Sequence, residues 1–178
     1  MSLRIILIDT SHPGNIGAVA RAMKNMGFSD LTLVNPKYFP HEDATARASG
    51  AEDILENALI TNTLEEAIVD CHLIIGASAR ERSIEWPILS PKECSDKIVR
   101  NFSEDNVAIV MGPEKNGLNN AQMDLCHFLL RIPTNPVYSS LNIAMAVQII
   151  CYEMRLAMIK LPEVKDSPMN LATGREME

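Results

Sequence analysis

Five short apolar runs, at residues 4–8, 31–34, 72–77, 107–111 and 128–132, alternate with longer segments of helical periodicity. Most of these runs are apolar almost throughout. A strand that is apolar on both faces must be covered on both, which calls for a parallel sheet with helices in the crossovers between strands. The expected class is therefore α/β, a mostly parallel sheet flanked by helices. Helix signals support the alternation. Thr63 with Glu66 and Ser90 with Glu93 have capping-box spacing, the second pair with Pro91 at the first helical position, and Gly27 is a natural helix stop. With 178 residues and no repeat period, one compact domain is expected.

Composition narrows what such a domain can do. The longest mainly apolar stretch, residues 143–152, is interrupted by Gln148 and falls far short of the roughly 20 residues that cross a bilayer. The N-terminus enters an apolar β-like run directly, without the tripartite pattern of a secretory signal, so a cytoplasmic protein is expected. Cys71, Cys94, Cys126 and Cys151 are scattered without C-x-x-C spacing and read as free, mostly buried thiols. His12, His41, His72 and His127 show no metal-ligand spacing, so no metal is expected. His127 reads as a satisfied core or surface histidine.

Three loops rich in glycine, asparagine and serine each sit where a strand hands over to a helix, the edge at which open α/β sheets bind ligands. The first is SHPGNIG, residues 11–17, leading into AVAR. Gly14 and Gly17 would permit close backbone approach, Asn15 offers an amide at the helix start, and Arg21 offers a planar fork suited to phosphate. The second is MGPEKNGL, residues 111–118. Gly112 and Gly117 have Walker A glycine spacing, but Leu118 and Asn119 replace the lysine and hydroxyl that nucleoside triphosphates need. G-x-G-x-x-G is absent, which disfavours NAD and FAD. The third is IPTNPVYSSLN, residues 132–142, where Ser139 or Ser140 is a natural helix N-cap. No G-x-S-x-G elbow marks a serine nucleophile.

The last long helix, residues 142–160, is apolar nearly all round, as expected of a helix packed both on its own sheet and on a second subunit. Residues 161–170, with Pro162 and Pro168, read as a linker. Thr173 and Glu176 then have capping-box spacing, so residues 161–178 are expected to open a further helical extension.

Taken together, the order, spacing and flanking strands of the three loops resemble the three motifs of the SPOUT superfamily of RNA methyltransferases, specifically its TrmH-like branch. The resemblance runs over residues 4–160. Two further features, GASARER at residues 76–82 with Trp86 and Pro87, and NPVYSSLNIAMAVQ at residues 135–148, are similar to the members of that branch that methylate a tRNA ribose 2′-oxygen at the first pyrimidine of the anticodon loop.

The resemblance implies a methyltransferase domain at residues 1–160 whose C-terminal part threads a trefoil knot. It also implies a homodimer, tRNA as substrate and S-adenosylmethionine as cofactor. By the same resemblance the catalytic group is Arg21, Asn15, Ser140 and Asn142, with Arg21 on a phosphate beside the target hydroxyl. An arginine is a poor base, so a phosphate oxygen is the easier proton acceptor. Backbone groups of Met111, Gly112, Ile132 and Leu141 would hold the cofactor, Gly117 would allow its close approach, and Ala77, Ser78, Glu114, Ser140 and Ala146 would complete the site. Arg80, Arg82 and Tyr138 are implied RNA contacts, along with Arg21. A net charge of −7 sits uneasily with an RNA partner unless dimerisation or an extension gathers basic groups locally. Three alternatives stay open: an inactive RNA-binding or protein-interaction dimer of the same fold, a 2′-O-methyltransferase acting on rRNA, and a small-molecule enzyme on a flavodoxin-like fold.

Overall fold

The computed structural model describes residues 1–79 and 86–159. The chain runs β1 (Ser2–Ile8), α1 (Pro13–Met26), β2 (Asp30–Val34), α2 (Glu42–Ala48), α3 (Glu52–Glu56), β3 (Leu59–Thr61), α4 (Leu64–Ala67) and β4 (Leu73–Ala77). It continues through β5 (Ile88–Leu89), α5 (Pro91–Asn101), β6 (Asn106–Met111), α6 (Asn120–Asp124), β7 (Phe128–Leu130) and α7 (Ile143–Met158). The strands form one seven-stranded sheet in the order β3-β2-β1-β6-β4-β7-β5, and every pairing is parallel.

The continuous apolar runs are explained by burial on both faces. Ile5 and Leu7 of β1, with Val107, Ile109 and Met111 of β6, face the layer of α1, α5 and α7. Ile6 and Ile8, with Ala108 and Val110, face the smaller cluster built on Leu64, Leu118 and Met123. Ile5, Leu7, Ile75 and Ile109 are at most 1% exposed, and each such side chain contributes roughly 1.5–3 kcal/mol through burial. Three of the four cysteines lie in these clusters, all four are free, and burial pushes the thiols of Cys94, Cys126 and Cys151 up to about 12. They are inert fillers of the core.

The helix signals act unequally. In α1, Ile16, Val19, Ala20 and Met23 form the buried stripe, and Gly27 ends it at φ 85°. There the Gly27 N–H meets Lys24 O at 3.1 Å and the Phe28 N–H meets Met23 O at 2.9 Å, a Schellman close. Ser90 and Glu93 form the full reciprocal capping box ahead of Pro91. Thr63 does only half of that work. Its hydroxyl accepts from the Glu66 N–H at 3.3 Å, while the Glu66 carboxylate accepts from Asn62 N–H at 2.9 Å. The N-cap of α7 is Asn142, whose side chain accepts from Ala144 N–H at 2.9 Å. That corrects the expectation for Ser139 or Ser140, because the helix begins only at Ile143.

Gly17 serves packing. A Cβ there would collide with the Ala44 carbonyl, so its hydrogen lets α2 seat directly on α1. Gly14 has only an ordinary contact, with Arg47 Cγ at 3.5 Å. The close backbone approach expected of these two glycines is thus found at Gly17, where the approaching backbone is that of α2, and not at Gly14. At the opposite edge of the sheet, Arg4 ties three elements by reaching Asp70 at 2.6 Å, Ala67 O at 2.9 Å and Asp30 at 3.2 Å. This pairing holds the Asp70 carboxyl below its usual range.

His127 is exposed and satisfied, its Nδ1 accepting from Ile74 N–H at 3.0 Å. Among the described residues no helix is long and apolar enough to cross a membrane, and no group of side chains could hold a metal ion. Arg80, Arg82 and residues 161–178 lie outside the described residues.

Candidate active site

Because every strand is parallel, the loops that follow β1, β4, β6 and β7 leave the same edge of the sheet. They surround a cavity of about 650 Å³. From β4 come Ala77 and Ser78, and from the loop after β6 come Met111, Gly112, Glu114 and Gly117. Ile132, Ser140 and Leu141 come from the loop after β7, and Ala146 from the first turn of α7. All ten cofactor candidates therefore line one space. Asn15 and Asn142 line it as well, with His12, Lys115 and Thr134, which the sequence reading did not single out. Their signal was membership of the same three segments.

A hydrogen-bond relay ties the three loops together. Glu114, after β6, accepts from Ser11 N–H and Ser11 Oγ at 3.2 Å, from His12 N–H at 3.3 Å and from Asn15 Nδ2 at 3.1 Å. The Asn15 carbonyl oxygen accepts from Asn142 Nδ2 at 3.0 Å, and Asn142 Oδ1 caps α7. Each asparagine side chain thus donates through its amide nitrogen and accepts through its amide oxygen.

Partial burial pushes the Glu114 carboxyl up, but hydrogen bonds from Asn15 and from the N–H groups of Glu114, Ser11 and His12 outweigh it, so the group titrates below the usual glutamate value. A depressed carboxylate contributes stability above its unfolded pKa and loses it as pH falls through the folded one. The loops should therefore stay tied down at neutral pH and loosen only in acid, below the usual glutamate range. Glu114→Gln should loosen them at neutral pH, raising hydrogen exchange at the Ser11 and His12 amides about tenfold. Unchanged exchange at those two amides would contradict the relay.

The two glycines of the second loop divide the work differently from expectation. A Cβ on Gly112 would collide with the backbone of Gly117 and Leu118, so the close approach belongs to Gly112 and lies within the loop itself. Gly117 has nothing within 4 Å of its missing Cβ, but it sits at φ 64°. Its role is conformational.

Arg21 does not line the cavity. It stands in an adjoining groove of about 740 Å³, which shares His12, Asn15 and Asn142 with the cavity and adds Asn25, Arg47 and Gln148. The two spaces meet at the asparagine pair. Tyr138 lines neither. It is 81% exposed on a turn where its N–H meets Asn135 O at 3.0 Å, beside Val137 at 93%. Arg47 had no sequence signal, because only the packing of α2 on α1 brings it here.

A parallel α/β domain with a mixed cavity at the strand C-termini, opening onto a groove that carries two arginines, has the architecture of a ligand-binding α/β domain. Residues 2–152 match the SpoU rRNA methylase family, and the chain belongs to that family. It is 51% identical over 156 residues to the tRNA (cytidine/uridine/adenosine-2′-O-)-methyltransferase TrmJ of Pseudomonas aeruginosa strain UCBPP-PA14, covering 87% of this chain and 61% of that protein. It is 50% identical over 162 residues to the tRNA (cytidine/uridine-2′-O-)-methyltransferase TrmJ of Escherichia coli O6:K15:H31 strain 536, covering 91% and 66%. The crystal structure of TrmJ from Zymomonas mobilis ZM4 superimposes with a TM-score of 0.84 at 34% identity, over 92% of this chain and 73% of that one. The chain spans somewhat under two thirds of the length of these two sequence relatives.

Proposed function

We propose that this chain is the methyltransferase domain of an enzyme that moves a methyl group from S-adenosylmethionine to a ribose 2′-oxygen of tRNA, with the first pyrimidine of the anticodon loop as target. The observation that carries the reading is the Glu114–Asn15–Asn142 relay, which holds three loops around one cavity while Arg21 stands in the groove that adjoins it. The family's description mentions rRNA, but the relatives near 50% identity are described as acting on tRNA, which favours the tRNA reading over the rRNA one. The full relay argues against an inactive binding dimer. The absence of nicotinamide, flavin or triphosphate motifs leaves a small-molecule enzyme without a stated chemistry.

The cavity fits the cofactor. Its volume lies within the roughly 300–1,000 Å³ of small-molecule sites. Leu130, Ile132, Leu141 and Ala146 offer apolar walls for adenine, and Ser78, Thr134 and Ser140 offer hydroxyls for the sugar and amino-acid parts. When bound, the sulfonium supplies the methyl group. The residues do the rest. Arg21, as a planar two-pronged donor, clamps the phosphate next to the target ribose. Asn15, Asn142 and Ser140 orient the 2′-hydroxyl at the boundary between cavity and groove. Because an arginine is a poor base, a phosphate oxygen held by Arg21 is the easier acceptor for the hydroxyl's proton. Tyr138, Arg80 and Arg82 are assigned to RNA contact.

We also assign to residues 106–159 the knotted path that the resemblance implies. The insertion of β6 between β1 and β4, and of β7 between β4 and β5, supports it. A homodimer is supported by the outer side of α7 and its end, where Met145, Tyr152, Met158 and Ile159 are 64%, 48%, 54% and 39% exposed. A cytoplasmic setting agrees with a tRNA substrate and with four free thiols. Labelled cofactor incubated with whole tRNA should leave label on a ribose 2′-oxygen, from a species near twice 19.7 kDa by light scattering. Calorimetry that detected no S-adenosylmethionine binding at millimolar ligand would end this reading.

A further inference from the structure

Arg47 occupies a place that its exposure alone does not explain. It lies in the last turn of α2, and the seating of α2 on Gly17 brings its side chain over the start of α1, with Cγ 3.5 Å and Nε 4.0 Å from where a Gly14 Cβ would stand. Arg47 and Arg21 line the same groove, and neither has a hydrogen-bond or ion-pair partner among the described residues. Several other cations among the described residues are engaged. Arg4 pairs with Asp30 and Asp70, Lys24 with Asp53 and Lys92 with Asp96, and Arg155 donates to Met26 O.

The groove's charge therefore runs against that of the chain. Its lining holds two arginines and one carboxylate, Asp43, in a protein of net charge −7. Asp43 is in turn 3.6 Å from His41 Nδ1. Two guanidiniums on neighbouring helices, with the amides of Asn25 and Gln148 in the same groove, suit a strand of phosphodiesters with polar sugar or base edges between them. The groove joins the cavity at Asn15 and Asn142, so a strand whose ribose sits at that boundary continues along it.

We infer that Arg47 is a second RNA phosphate contact, holding the backbone of a nucleotide flanking the target, next to the phosphate assigned to Arg21. This rests on the reading of the chain as an RNA methyltransferase. Arg47 is a binding residue: it touches neither the cavity nor the reacting hydroxyl. Its loss should raise KM for tRNA and leave kcat at saturation nearly unchanged.

The test is tRNA binding by filter retention over a salt series, for wild type, Arg47→Gln, Arg47→Lys and Arg100→Gln. Arg100 is exposed in the last turn of α5, at the opposite edge of the sheet, and controls for net charge. Arg47 is on an exposed helix face, so glutamine leaves the fold intact, and unchanged melting temperature verifies this. Expected for Arg47→Gln are a three- to tenfold loss of affinity near physiological salt and a salt slope shallower by about 0.7–0.9, the loss of one phosphate contact. Lysine should keep the slope, Arg100→Gln should match wild type, and cofactor affinity should be the same in all four. An unchanged slope in Arg47→Gln, or an equal loss in Arg100→Gln, overturns the inference while tRNA methylation by wild type stands. Wild type that neither bound nor methylated tRNA would overturn the inference and the functional reading together.

Discussion

Arg21→Ala should lower methyl transfer to tRNA by a hundredfold or more while S-adenosylmethionine affinity and melting temperature stay close to wild type. The reason lies in where the side chain stands. Arg21 is exposed on the third turn of α1, outside the cavity and without a partner among the described residues, so neither core nor cofactor depends on it. Alanine is also the better helix former. What goes missing is a fixed planar donor at the point where charge develops, a kind of loss worth about two to three orders of magnitude in turnover. Arg21→Lys keeps the charge but loses the fork, so it should recover only a small part. Single-turnover transfer from labelled cofactor at saturating tRNA decides the matter. Near-normal turnover in the alanine variant would remove Arg21 from the mechanism, and a large fall in cofactor affinity would relocate it to the cavity.

The second large effect belongs to Gly112. Any Cβ at that position must occupy space taken by the backbone of Gly117 and Leu118, which cannot swing aside as a side-chain end could. Gly112→Val should therefore open the loop that folds back through the Gly117 N–H to Pro113 O bond at 2.8 Å. Glu114 would leave Ser11, His12 and Asn15. Cofactor affinity is expected to fall at least a hundredfold, with far-ultraviolet dichroism showing the sheet retained. Gly117→Ala meets open space and bears only the left-handed backbone, about 1–2 kcal/mol, so a loss near tenfold is expected. The order matters more than either value. If Gly117→Ala weakened the cofactor more than Gly112→Ala, the closeness of the loop would have been assigned to the wrong glycine.

The sheet was legible because burial on both faces leaves an apolar run that few other environments produce. The patterns at 4–8, 31–34, 72–77 and 107–111 match β1, β2, β4 and β6 to within two residues. The strand read at 128–132 is shorter, since pairing ends at Leu130. Strands β3 and β5 escaped, being three and two residues long at the two edges of the sheet, where Leu59, Ile60 and Ile88 are about half exposed. Segments this short carry no periodicity of their own, and their neighbours hold them in register.

The site was legible as three segments and opaque as an arrangement. Glycine spacing marks a place where something comes close without saying what. At Gly17 it is a helix, at Gly112 the loop's own backbone, and at Gly117 nothing. Arg47 shows the complementary difficulty, since its position depends on a contact between two helices separated by a strand. Asn142 was read as a candidate for the reacting group, and the structure shows it also as the cap of α7 and one end of the relay.

That relay has a kinetic side. Asn15 and Asn142 are 127 positions apart, and Asn15 and Glu114 are 99 apart. Neither bond can form until most of the chain has been gathered in, and the entropy of closing such spans is spent before any relay bond is gained. No hairpin or helix pair can preassemble this cavity during synthesis or refolding. Affinity for a ligand held by these loops is thus a property of the finished domain, gained at the end of folding and lost at the first global opening.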